Sequence, residues 1–365
     1  MLKHLTSRLQ KNIDSTLMTL ISSALVVGLF TLYSASGQNI ILVLNQLLYI
    51  VLGLILLLIT ASTHPKYYEK FALPIYISGL LLLSAVMFAG QFSHGAKRWL
   101  NLGIFKIQPS EIMRIAVPIA MAWYLSKRAN KRHAIDYLIA SLFFILPVML
   151  IINQPDLGTG LIITASGFYI LFLAGLNLKF IIGGAIGLFS LAPIIWTYLH
   201  DYQKNRLIIL LDPSQDPLGS GYHTIQSSIA IGSGGLIGKG WLNGSQSQLD
   251  FLPERTTDFI FAVFSEEFGL LGNLLLLGLF ALIIGRSLII TSQAKNIFTR
   301  LLAANIVLTF FTYIFVNIAM VIGIMPVVGV PLPLISFGGT SMTIILVSFG
   351  ILMSIHSHKE LVGSS

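Results

Sequence analysis

Apolar residues recur in runs of near twenty from one end of the chain to the other, interrupted by short polar stretches. As a helix, a run of that length crosses the ~30 Å hydrocarbon core of a bilayer. The pattern predicts ten crossings, at 16–35, 40–62, 71–91, 109–126, 134–153, 157–175, 178–199, 259–285, 301–324 and 335–356. The expected fold is therefore an all-α polytopic membrane protein, one domain over 1–365, with a large structured extracytoplasmic loop at about 200–258 between helices 7 and 8. The basic N-terminus runs into the first apolar stretch without a cleavage site, so that stretch is expected to be a retained helix.

Charge changes the picture by giving the connections a side. Fourteen of the 22 Lys and Arg fall on one set of connections, among them Lys3, Lys66, Lys70, Lys127, Arg128, Arg286, Lys295 and Lys359. The positive-inside rule makes that side, and both termini, cytoplasmic. The net charge of +8 is accounted for by cytoplasmic loops beside anionic lipid, and nucleic acid is not expected as a partner. Seven cations oppose the rule, in two outer loops, 92–108 and 200–258. Chemistry or ligand binding is placed on that outer face. Cysteine is absent, which removes disulfides, thiolate metal sites and a cysteine nucleophile.

Only 10% of the chain is charged, yet six charges fall within Leu249–Gly269: Asp250, Glu254, Arg255, Asp258, Glu266 and Glu267. An ionisable group in or beside a span is costly unless it meets a cavity or a partner. Asp258 precedes the apolar FIFAVF at the outer mouth of span eight. A carboxylate there suits a general base on a sugar hydroxyl, a ligand for a divalent cation, or a helix N-cap. Glu254, behind Pro253, either fixes the loop through a salt bridge or touches a ligand. Glu266 and Glu267 diverge by about 100° around a helix, so one can face a cavity while the other is expected in an ion pair.

Glu111 and Arg114, at i,i+3 after Gln108-Pro109-Ser110, share one face of span four, with Gln108 or Ser110 expected to cap it. Asp156 is expected to cap span six. Lys97, Arg98 and Trp99 form a basic-aromatic cluster that suits a lipid diphosphate, although Trp at that depth also serves as an interfacial anchor. HTIQSSIAIGSGGLIGKG predicts a short amphipathic helix, suited to the membrane interface, and a glycine-rich turn. It is not a nucleotide loop, because Ser233 and Gly240 break the Walker pattern. MPVVGVPLPLISFGGTS predicts irregular backbone at membrane depth, tolerated where it lines a cavity or is buried in protein. No histidine pair has metal-ligand spacing on a helix, and no organic cofactor is expected.

The stretches LPERTTDFIFAVFSEEFG, KRWLNLGIFKIQPSE, NQPDLGTG, DPLGSGYHTIQSSIAIGSGGLIGKG and VPLPLISFGGTS together resemble the SEDS family (shape, elongation, division and sporulation) over nearly the whole chain. The resemblance implies a peptidoglycan glycosyltransferase that polymerises lipid II on the outer face of the bacterial inner membrane, beside a class B penicillin-binding protein. The family's essential Asp falls on Asp258, the Trp of its first outer loop on Trp99 and the Glu of its QPSE motif on Glu111. Arg114 stands where the family commonly has Lys. Short tails and the FKIQPSE and FLPER wording favour the elongation branch over the division branch.

One reaction fits both the residues and the resemblance. Asp258 takes the proton of the acceptor's 4-hydroxyl, or holds a divalent cation (Mg2+ or Mn2+), while Lys97, Arg98, Arg206, Lys239 or Arg255 stabilises the departing undecaprenyl diphosphate. The rival class is a lipid-linked precursor transporter, against which the charges cluster on one face and no inverted repeat is apparent.

Overall fold

The computed structural model describes residues 12–93, 96–101, 106–129, 132–191, 193, 196–197, 204, 208–210, 220–249 and 251–358. Its helices are α1 (Ser15–Ala35), α2 (Ile40–Ser62), α3 (Pro65–Lys70), α4 (Ala72–Ala89), α5 (Pro109–Ser126), α6 (Ala134–Ile152), α7 (Leu157–Leu173), α8 (Leu178–Ser190), α9 (Ser220–Ser233), α10 (Ser245–Gln248), α11 (Ile260–Ser292), α12 (Ile297–Val321) and α13 (Gly339–Ser357). Among the described residues, seven helices (α1, α2, α4, α6, α11, α12 and α13) are long and apolar enough to cross a membrane. Leu, Ile and Val side chains stand exposed along them, for example Ile41, Leu48, Leu81 and Leu275. That is the surface of an integral membrane protein, whose outer solvent is hydrocarbon.

The helix expected as the fourth span, α5, is the one the others surround. Thirteen of its 18 residues are buried, and α4, α6, α7, α12 and α13 pack on it. A helix covered on all sides need not be apolar enough to face lipid, which is how it carries Glu111 and Arg114.

Two expectations are corrected. The fold is not all-α, because residues after α4 form a three-stranded antiparallel sheet of β1 (Gln91–Ser93), β2 (Ala96–Asn101) and β3 (Lys106–Ile107). β1 and β2 are separated by only His94 and Gly95, a spacing that selects a hairpin. The last helix begins at Gly339 rather than 335, because the Pro-rich segment before it stays irregular.

α11 is two helical pieces joined at Gly269, whose φ of 64° and ψ of −161° lie outside the helical region. A side chain there would collide with Gly238 N at 2.3 Å, so only glycine fits against the 234–240 turn. That turn follows α9, which packs on α11 and α12, with Ser227 donating to the Val321 carbonyl at 2.8 Å. The amphipathic helix expected at the membrane interface is thus fastened to the bundle.

Candidate functional site

Asp258 lies at the end of an irregular 252–259 turn, half-buried, one residue before the capping position of α11. That position is Phe259, without a side-chain cap hydrogen bond, so Asp258 is not the N-cap. The turn is tied down through its main chain. Glu254, at φ 49°, accepts from Thr257 N at 3.1 Å and Phe259 N at 3.2 Å. Ser336 Oγ donates to the Thr257 carbonyl at 2.6 Å, and Phe337 N to the Thr256 carbonyl at 2.9 Å. Asn317 Nδ2 donates to the Asp258 carbonyl at 2.8 Å and to the Val330 carbonyl at 2.7 Å. The backbone around Asp258 is thereby fixed by α12 and by the 326–338 segment. Gln46 in α2 holds that segment in turn, donating to the Ser336 carbonyl and accepting from Gly338 N, each at 3.2 Å.

Gly329 connects this turn to a second polar cluster. Its φ is 74°, and a Cβ on it would sit 3.5 Å from Asp258 Oδ2. Behind it, the carbonyl of Val328 packs so closely on the start of α7 that a Cβ on Gly158 would come within 2.6 Å. Asp156, two residues earlier, caps α7 as expected, accepting from Thr159 N at 3.3 Å. Its other oxygen takes Gln108 Nε2 at 3.0 Å and Ser110 Oγ at 3.5 Å. Gln108 holds the N-cap position of α5 as expected, but neither its side chain nor that of Ser110 bonds the helix's first N–H groups. They bridge its start to α7 instead.

Arg114 pairs with Glu111 at 2.6 Å and donates to Thr159 Oγ1 at 2.7 Å, with its guanidinium 5.3 Å from the Tyr313 ring centroid. Ser341 of α13 donates to Glu111 at 3.0 Å. Both members of the pair are almost fully buried, so this cluster cross-links α5, α7, α12 and α13 at the level of the Asp258 turn. Both terminal guanidinium nitrogens of Arg114 and both Glu111 oxygens are bonded, which compensates the burial of the pair, while Arg114 Nε has no hydrogen-bond partner among the described residues.

The basic-aromatic cluster sits on β2, with Lys97, Arg98 and Trp99 all half-buried. Arg98 donates to the carbonyls of Gln154, at 3.3 Å, and Pro155, which fastens the sheet to the α6–α7 turn. Lys239 is committed elsewhere. Its ammonium lies 2.7 Å from Glu266, whose side chain is fully buried and also accepts from Ser245 Oγ at 3.0 Å and Gln246 N at 3.1 Å. Glu267 takes Ser34 Oγ and, at 3.2 Å, Leu242 N. One glutamate forms the ion pair expected, but the other is also covered rather than facing an open cavity. Together they pin the loop after α9 onto α11. Glu254 bonds Thr257 Oγ1 at 2.9 Å instead of forming a salt bridge. Arg255 reaches toward the α1–α2 turn, 3.7 Å from where Gly37 would carry a Cβ. Arg206 and Asp250 lie outside the described residues.

Asn317, Gln46 and Ser336 frame Asp258 and were not among the expected site residues. A signal existed, since a carboxamide buried in an apolar run has to be holding something. Among the described residues no three His, Asp or Glu stand close enough to hold a metal. Asp258 offers a single carboxylate, which fits Mg2+ or Mn2+ bound mainly by substrate phosphates and water.

The chain is similar to known proteins over nearly its whole length. The chain is 46% identical over 355 residues to the peptidoglycan glycosyltransferase MrdB of Escherichia coli K12, covering 97% of this chain and 96% of that one. It superposes with a TM-score of 0.84 on a chain from a peptidoglycan synthase complex described for its structural coordination of polymerization and crosslinking, at 32% identity over 95% of this chain and 98% of that one. The rod shape determining protein RodA of Thermus thermophilus matches at a TM-score of 0.72 and 28% identity, over 95% of this chain and 97% of that one. With the cell cycle protein model of FtsW, RodA and SpoVE matching residues 14–361, the chain belongs to that family, the SEDS proteins.

Proposed function

We propose that this chain is a peptidoglycan glycosyltransferase of the elongation branch, polymerising lipid II with Asp258 as the base. The activity is the one its relatives are named for. The observation that carries the residue assignment is the frame around Asp258: the carbonyls of residues 256, 257 and 258 are all held from outside the turn. A carboxylate mounted that way keeps its position through a reaction without reorganising its support.

The chemistry follows from the substrate. A β-linked strand built from an α-linked lipid diphosphate requires inversion, so the base sits opposite the leaving group. Asp258 accepts the proton of the acceptor's 4-hydroxyl as that oxygen bonds to the donor's anomeric carbon. The bond from that carbon to the diphosphate breaks, and undecaprenyl diphosphate leaves. Base catalysis of this type contributes roughly 10²–10⁴-fold. We assign the diphosphate to Lys97, Arg206 and Arg255 of the two outer loops, with Arg98 placing the β2 strand and Lys239 the loop after α9. If the reaction uses a divalent cation, Asp258 would help to hold it, and its charge would offset that of the leaving diphosphate.

We read ten crossings, the seven long apolar helices together with α5, α7 and the segment that begins with α8. Both termini are then cytoplasmic, the Asp258 end faces outward, and a class B penicillin-binding protein cross-links the strands. Glycan synthesis from purified lipid II in detergent, where no second compartment exists, tests the enzyme against a lipid-linked precursor transporter. Polymer supports the enzyme, and its absence with a competent partner present contradicts it.

A further inference from the structure

Inside the bundle, α5, α12 and α13 border a cavity with about 40 Å³ of water-accessible space, whose polar lining is Arg114, Asn305, Thr309, Tyr313 and Ser348. Two hydrogen-bond donors in this lining are left over. The terminal nitrogens of Arg114 are taken by Glu111, Ser341 and Thr159, but its Nε has no partner among the described residues, and neither has the Tyr313 hydroxyl. The Arg114 side chain is 7% exposed and Tyr313 is 4% exposed, so neither donor reaches bulk water. Buried donors in native structures are almost always bonded, to protein or to ordered water.

The same lining supplies acceptors. Thr309 and Ser348 spend their protons on Asn305 Oδ1 at 3.4 Å and on the Ile344 carbonyl at 2.9 Å, which leaves lone pairs on both hydroxyl oxygens. Pro118, inside α5, also lines the cavity and has no N–H to give the Arg114 carbonyl one turn earlier. In a membrane helix a carbonyl freed by proline is satisfied by a neighbouring side chain or by water.

Charge decides what the cavity takes. Arg114 and Glu111 balance one another, so a further ion of either sign would have no counter-charge. A neutral molecule that both accepts and donates matches the leftover donors and the spare lone pairs. Water is such a molecule, and at roughly 10–15 Å³ of accessible space each, about three fit at most. We propose that this cavity binds a small cluster of ordered water, which accepts from Arg114 Nε and the Tyr313 hydroxyl and donates to Thr309, Ser348 or the Arg114 carbonyl. The cluster completes the hydrogen bonding of Arg114 and so keeps an ionised guanidinium within the bundle. This holds whether or not the chain polymerises lipid II.

The experiment is X-ray hydroxyl-radical labelling of the full chain in phosphatidylcholine nanodiscs, mixed into heavy-oxygen water just before the pulse and mapped by mass spectrometry. The radicals form from water, so a buried ring is hydroxylated where water stands beside it. Phe310, Tyr313 and Phe349 line the cavity and are 4%, 4% and 2% exposed, while Phe144, at 5%, is outside the lining and serves as control. The three lining rings should be labelled about tenfold faster than Phe144. They should carry ordinary oxygen from the held water when the exposed Tyr67 already carries the heavy isotope. Ser348→Leu, whose side chain takes up the cavity, and Tyr313→Phe, which removes one donor at nearly constant volume, should each lower the labelling of Phe310 and Phe349. Rates equal to that of Phe144, heavy oxygen at the lining rings as early as at Tyr67, or labelling undiminished in both variants would each overturn the proposal. The unsubstituted chain decides the matter even if a variant fails to fold.

Discussion

Asn317 donates from Nδ2 to the carbonyl of Asp258 at 2.8 Å, tying the proposed base to the middle of the membrane bundle. The same nitrogen reaches the Val330 carbonyl at 2.7 Å, so one carboxamide sets the spacing between the Asp258 turn and the irregular segment that holds Gly329. Asn317→Leu fills the volume and leaves two carbonyls without a donor, each costing about 1–3 kcal/mol if it stays buried. The expected result is a lower melting temperature and a turnover reduced roughly 10–100-fold with little change in KM, since position rather than binding is lost. Steady-state polymerisation of lipid II measures both parameters.

Two glycine substitutions separate crowding from misfolding. Gly329→Ala places a methyl at ordinary contact distance from Asp258 Oδ2, with a left-handed backbone that costs an alanine about 1–2 kcal/mol. Gly238→Ala would bring a Cβ to 2.1 Å from the Glu267 carbonyl, which the turn cannot accommodate without moving. We expect Gly329→Ala to fold and lose activity, and Gly238→Ala to lose melting temperature or expression. Fluorescence-detected size exclusion and polymerisation assays distinguish the two.

The Lys239–Glu266 pair at 2.7 Å offers a test of whether Lys239 binds substrate or holds the loop. Removing the ammonium leaves a fully buried carboxylate without its counter-charge, a loss of roughly 3 kcal/mol. Lys239→Met should therefore lower the melting temperature, and the double variant Lys239→Met/Glu266→Gln should recover part of it. A rise in KM for lipid II with unchanged stability would return Lys239 to the diphosphate.

How much of this was legible in the sequence depends on the kind of signal. Seven long apolar helices were, because a twenty-residue apolar run has few other uses. The helix start at Asp156 was read correctly from Asp followed by Leu-Gly-Thr. The sheet carrying Lys97–Trp99 was not, since its strands are only two to six residues long and no periodicity survives at that length. The commitment of Lys239 to Glu266 was also hidden, because it joins residues 27 apart through a glycine turn whose packing partner is the backbone of α11. The Gly-rich pattern resembled a ligand loop, but its glycines serve backbone contact.

A pH prediction concerns the opposite end. Asp14 caps α1 and pairs with Arg286 and His356. Burial alone would raise its carboxyl, but the Arg286 hydrogen bond, the Leu17 N–H and the charges of Arg286 and His356 hold it below the usual carboxylate value. A lowered folded-state value stabilises the fold above the ordinary carboxylate range, and this contribution is lost as pH falls through the lowered value. Asp14→Asn should lower the melting temperature most at neutral pH, and the gap to the unsubstituted chain should close as the pH falls through the lowered carboxyl value. Melting curves across that range measure it.

The central claim rests on Asp258, and the most direct test is Asp258→Asn in the purified chain, assayed with the proposed class B penicillin-binding protein for polymerisation of lipid II. The substitution keeps size and the backbone bond from Asn317 while removing the negative charge. The account predicts no glycan product with an unchanged melting temperature and partner binding. Turnover at the unsubstituted level would contradict Asp258 both as base and as cation ligand.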